Sequence, residues 1–149
     1  MKALVAVPAA VLVAVLGPLS ETGIAGADPG TGVTNPSGPA YAPPFVDHTE
    51  WAQWRGKSSL RVYPTLSGRA AARQPGTAIL ADEAWSEVLA LSRDADTPGM
   101  RAQFICHWQF AELVQPGKTS WNLEPWRPVV DDAEMIASGC NPGGPEEAF

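Results

Sequence analysis

His107 precedes Glu124 by seventeen residues, and Glu124 precedes Arg127 by three. A histidine with a carboxylate partner is the minimal equipment for general acid–base hydrolysis, and Glu124, Asp131 and Asp132 are the acids downstream that could serve it. His107 and Glu124 are therefore the catalytic candidates. The competing role for His107 is a core imidazole bonded to a backbone carbonyl, because it lies inside the apolar stretch FICHWQF. Glu124 and Arg127 belong to the octapeptide WNLEPWRP, Trp121 to Pro128. Pro125 and Pro128 force the residues before them out of the helical region, so this strip is extended. Trp121 and Leu123 then point one way, Asn122 and Glu124 the other. On a stiff strip Asn122, Glu124, Trp126 and Arg127 form a preorganised ligand fork that loses little entropy on binding. Equally, Arg127 pairs with an acid and pins the strip to the core.

Other chemistry is not spelled here. The chain has no GxSxG elbow, no HExxH, no phosphate-cradling glycine loop and no EF-hand spacing. Two Cys and two His without paired ligand spacing predict no metal site, and no cofactor is expected. Ten bases against sixteen acids give a net charge of −6. Such a chain has no general attraction to nucleic acid or anionic lipid, so neither is an expected partner.

The N-terminus predicts export. Lys2 precedes an apolar run, Ala3 to Leu16, and Ala25-Gly26-Ala27 supplies the small residues of a signal-peptidase site. The run is shorter than the roughly 20 residues that span a bilayer, so no membrane span remains after cleavage near Ala27/Asp28. Residues 1–27 are read as signal peptide, 28–44 as a disordered Pro/Gly-rich spacer, and 45–149 as a single globular, monomeric domain. Outside the cytoplasm an even cysteine count reads as a disulfide, Cys106 to Cys140. A zinc site or a catalytic thiol is the alternative.

The elements that must position these residues follow from periodicity. FVDHTEWAQW, Phe45 to Trp54, is undecided between strand and helix. Gly56-Lys57-Ser58 reads as a turn, and Ser59 to Tyr63 alternates as a half-buried strand ended by Pro64. Ser67 to Gly76 reads as a polar loop. Asp82 to Ser92 carries a helical stripe of Ala81, Trp85, Val88 and Leu89. After the DADTPG turn, with Thr97 as N-cap and Pro98 as first helical residue, MRAQFICHWQFAELV forms a second helix. Its stripe is Met100, Phe104, His107, Ala111 and Val114, and Pro116-Gly117 ends it. DDAEMIAS forms a short helix or strand. Of the six tryptophans, Trp85, Trp108 and Trp121 suit the core, while Trp51, Trp54 and Trp126 are the surface aromatics. The fold class is α+β: a small domain with a short antiparallel hairpin or sheet, two main helices and one disulfide.

YPTLSGR, AWSEVLAL, DTPGMRAQFICHWQFA, WNLEPWRP and GCNPGG, in this order, resemble a family of exported bacterial proteins of mycobacterial and streptomycete type that is catalogued as a domain of unknown function. The resemblance covers residues 58–145. It implies export, one small domain and paired cysteines, and it groups Gln103, His107, Trp121, Asn122, Glu124 and Arg127 into one constellation. That adds Gln103 and His107 to the ligand-binding candidates. It attaches no activity. The expected function is a non-enzymatic domain that binds a cell-envelope or extracellular ligand, with WNLEPWRP at the rim. The alternative is a small secreted hydrolase using His107 with a carboxylate.

Overall fold

FVDHTEWAQW resolves as strand. The computed structural model describes residues 41–145; the signal-peptide and spacer assignments, apart from Tyr41 to Pro44, fall outside them. Strand β1, Val46–Trp54, pairs antiparallel with β2, Lys57–Pro64. Between them Arg55 and Gly56 both have positive φ, 48° and 78°. Two successive left-handed residues twist a two-residue turn to match its strands, which is why glycine holds the second place. The expected turn at Gly56–Ser58 is therefore displaced by one residue. A register shift between Val46 and His48 bends the start of β1. There Glu87 Oε2 accepts both the Phe45 and Val46 amides at 2.7 Å, tying the strand to the second helix.

Among the described residues four α-helices accompany the sheet: α1, Leu66–Ala72; α2, Ala78–Leu91; α3, Met100–Val114; and α4, Asp132–Ala137. The α1 helix occupies what the sequence predicts as loop. Its N-cap, Thr65, accepts the Gly68 amide at 2.9 Å. Gly68 is required by packing: a Cβ there would lie 2.2 Å from the Phe45 carbonyl oxygen. The α2 helix begins four residues earlier than expected, so Asp82 and Glu83 fall beyond its first turn. The α3 helix is the expected fifteen residues, but Gly99 at φ 86°, not Thr97, takes the N-cap position. Asp131, a proposed catalytic carboxylate, is instead the N-cap of α4 and accepts the Glu134 amide.

The third strand, β3, Trp121–Leu123, adds to β2 and gives the sheet order β1-β2-β3. Register decides which side chains meet. Leu123 opposes Leu60 and Trp121 opposes Val62, so both point into the core; Asn122 opposes Arg61 and points away. The domain is α+β, with helices packed on a three-stranded antiparallel sheet, as the sequence indicates. Its centre is aromatic. Trp108 meets Phe45 and Trp121 edge-on at 5.7 and 6.1 Å, and Phe104 links Trp85 to Trp121. Val114, expected on the buried stripe of α3, is 82% exposed. It lies in the last turn, beyond the sheet's cover. Among the described residues no helix is long and apolar enough to cross a membrane.

Candidate functional site

The octapeptide is anchored by its own polar side chains, and they are buried. Glu124 and Asn122 are fully buried, and Arg127 and His107 are each 3% exposed. Gln103 on α3 clasps the strip through its backbone: its amide oxygen accepts the Glu124 N–H at 2.9 Å, and its amide nitrogen donates to the Glu124 carbonyl at 3.0 Å. This reproduces a strand ladder with a side chain, where Pro125 would interrupt a backbone one. Glu124 Oε2 takes Arg127 Nε at 2.5 Å, and Oε1 accepts the Ser59 hydroxyl at 3.3 Å. The far side of the guanidinium donates to the Pro142, Gly144 and Pro145 carbonyls. Gly143 passes so close to Pro128 that a Cβ there would lie 2.7 Å from the proline ring. Strip, third helix and closing segment therefore meet at one ion pair.

His107 sits beside this clasp without joining it. Its Nδ1 donates to the Gln103 carbonyl at 2.8 Å, the i−4 position of its own helix. Burial lowers its pKa to about 4, with Lys118 and Arg127 adding positive charge against protonation; the bond to Gln103 opposes them. Neutral imidazole bonded to backbone is the core role that the sequence leaves open. The hydrolytic alternative needs an accessible ring beside a carboxylate, and His107 is sealed with cations as its charged neighbours.

The depressed value carries a stability signature. Between pH 6.5 and about 4 the unfolded chain binds a proton at His107 that the folded chain does not, so stability falls as pH drops through that window. The expected loss is up to about 3 kcal/mol, roughly 1.4 per unit. Urea titrations at stepped pH should show this slope, and His107→Asn should flatten it. A wild-type stability that is level from pH 6.5 to 4.5 would refute the assignment. A second buried acid acts lower on the scale. Burial alone would raise the Glu112 carboxyl, but the Gly117 amide, Arg69 and Arg73 outweigh it and hold the pKa below its usual value.

The clasp accounts for the most distinctive spelling in the chain, and the comparisons bear on the same segment. The family model described as "Protein of unknown function (DUF2599)" matches residues 46–143. The chain belongs to this family. It is 66% identical over its full 149 residues to the uncharacterized proteins Rv0477 of Mycobacterium tuberculosis (strain ATCC 25618 / H37Rv) and Mb0487 of Mycobacterium bovis, each covered in full. It is 60% identical over 111 residues to the uncharacterized protein ML2452 of Mycobacterium leprae, covering 74% of this chain and 89% of that one. No solved structure matches.

The matched span includes the strip, which the structure places inside. Gln103, Asn122, Glu124 and Arg127 come together, His107 lies alongside, and none of the five faces solvent. Trp126 is the half-buried exception. Its indole N–H donates to the Ser58 carbonyl at 3.1 Å, and two cations already sit over the ring: Lys57 Nζ at 3.8 Å and Arg127 at 4.6 Å. The neighbouring aromatics are similarly engaged, Trp54 by Arg55 and Tyr63 by His48, which stack at 4.0 Å. Each of these rings already has at least one face engaged. Cys106 and Cys140 form the disulfide, and among the described residues no His, Cys, Asp and Glu cluster could hold a metal.

A hollow of about 250 Å³ has His107 and Lys118 in its lining, and a larger one lies elsewhere. A groove of about 620 Å³ runs between the turn after α1, the start of α2 and one face of α3. Ala78, Ile105, Trp108 and Leu113 give it apolar walls, and Arg73 and Arg101 stand among its lining residues. Its size is that of small-ligand sites. Sequence reasoning missed all six as site residues. No sequence signal related them; the structure shows Leu113 61% exposed beside buried Glu112.

Proposed function

We propose that this protein is an exported, non-enzymatic binding domain, and that it takes an envelope or extracellular ligand with an apolar body into the groove between α2 and α3. The clasp then serves to hold α3 against the sheet so that the groove keeps its shape. One contrast supports this reading: the catalytic candidates His107 and Glu124 are at most 3% exposed, whereas the groove opens to solvent over apolar walls. Export rests on the leader pattern that ends at Ala27.

A neutral alkyl probe tests the location. Titration with 1-decanol, followed by amide chemical shifts, should move Ala78, Ile105 and Leu113 and leave Asn122 to Arg127 still. Shifts centred on Lys57 and Trp126 would transfer the binding role to the sheet. Ester turnover that disappears in folded His107→Asn protein would replace the proposal with the hydrolytic alternative.

A further inference from the structure

Resting on that groove assignment, we propose that the ligand is an amphiphile with a single carboxylate head. The head sits between Arg73 and the N-terminus of α2, and the alkyl or aryl body lies along Ile105 and Leu113.

The first observation is charge. The whole chain is acidic, at −6, yet the charged groups lining the groove are Arg73, Arg101 and Asp82. Arg101 and Asp82 pair with each other, both more than half exposed. Arg73 differs. Its acid, Glu112, already takes Arg69 on Oε1 and the Gly117 amide on Oε2 at 3.1 Å. Arg73 adds one N–H to that same Oε2 at 3.0 Å, and its side chain stays 48% exposed. Two guanidiniums thus share one carboxylate, leaving one positive charge in surplus and most of the five Arg73 donors uncommitted to it. A planar fork of this kind matches a carboxylate in bidentate fashion.

The second observation is independent of Arg73. The fourteen-residue α2 starts at Thr77 with no side-chain cap and no acid in its first turn. The Thr77 hydroxyl is turned to other work: it donates to the Gln74 carbonyl at 3.0 Å and accepts the Trp108 indole N–H at 3.1 Å. The first helical amides are left with the partial positive charge of the helix end and no side chain to answer it. Thr77 and Ala78 both line the groove, so this uncapped end faces the same space as Arg73. An anion there satisfies the helix end and the surplus guanidinium together. A single negative charge matches the single surplus; a doubly charged phosphate exceeds it. The third observation is the body of the groove, where Ile105 and the 61%-exposed Leu113 offer apolar contact to whatever follows the head.

Calorimetric titration of the purified full chain with decanoate, 1-decanol, decyl phosphate and decyltrimethylammonium, each below its aggregation threshold, tests the head group. Decanoate should bind at least tenfold tighter than decanol, and the cation more weakly than either. Arg73→Gln should remove most of the decanoate advantage over decanol, the α2 end keeping the remainder, and circular dichroism with decanol-induced shifts at Ala78, Ile105 and Leu113 reports whether the groove remains folded. Arg73→Lys should restore part of the difference. Leu113→Asp should weaken decanoate and decanol alike. Equal affinity for decanoate and decanol, tighter binding of the phosphate or the cation, or a decanoate preference indifferent to Arg73→Gln would each overturn the carboxylate assignment while the groove reading stands. No binding of any alkyl probe would remove both.

Discussion

Glu124→Gln should lower the unfolding free energy by about 3–5 kcal/mol, the usual cost of stranding one member of a buried ion pair. Both side chains of the Glu124–Arg127 pair are fully buried. Glutamine keeps the shape and can still accept the Ser59 hydroxyl, so the change isolates the charge. What it leaves is a guanidinium without solvent and without its anion, supported by the Trp126 ring and the Pro142, Gly144 and Pro145 carbonyls. Arg127→Met should cost a similar amount, since it strands the carboxylate instead and releases those carbonyls. The double variant should cost clearly less than the sum, because replacing both charges removes the stranded ion altogether. Urea unfolding of the four proteins measures this. A single-variant loss below about 1 kcal/mol is what an exposed pair gives, and would mean that the octapeptide is open to solvent.

The contrast between strip and groove shows what a linear pattern carries. Alternation in WNLEPWRP was readable: Trp121 and Leu123 do face the core, and Asn122 points away, opposite Arg61. Burial of the second face was not readable, because much of its cover comes from carbonyls fifteen to eighteen residues downstream. Periodicity assigns a side chain to a face and says nothing about what later lies upon it. The α2 and α3 helices were visible for the opposite reason, since Trp85, Val88, Phe104 and Trp108 repeat at helical spacing and meet at one centre. The α1 helix was hidden by composition. LSGRAAA has no stripe to betray it, and Gly68 reads as a breaker until the Phe45 carbonyl is placed against it. Its N-cap, Thr65, follows the proline that ends β2 and went unread.

The groove was hidden more deeply still. Arg73, Thr77, Ile105 and Leu113 come from three elements, and no spacing in the sequence relates them. They form a site only once Arg69 and Arg73 reach across to Glu112, some forty residues away, and fix α1 against α3. Buried Glu112 organises this end of the domain as Glu124 organises the other. Each carboxylate gathers donors from distant segments, and between them the aromatic centre is closed.

Removing the disulfide should be the second severe lesion. Cys106 on α3 and Cys140 just beyond α4 are 34 residues apart, with Cα atoms at 5.6 Å, inside the range a bridge requires. In the chain-entropy description a loop of that length stabilises by about 3–4 kcal/mol. For a domain near a hundred residues this corresponds to a fall in Tm of roughly 15–25 °C. Cys106→Ala with Cys140→Ala, compared with the oxidised parent by calorimetry, gives the number. The bridge and the ion pair act on the same segment, because Cys140 stands two residues before Pro142, the first carbonyl that Arg127 holds. Once the bridge is gone that segment is already loosened, so Arg127→Met should cost less in the cysteine-free background than in the parent, by 1 kcal/mol or more if the two are coupled. Strict additivity would show that each holds the closing segment alone. Protein recovered from culture medium should begin near Asp28 and contain no free thiol, and a reduced pair there would deny the bridge its part in fixing the clasp.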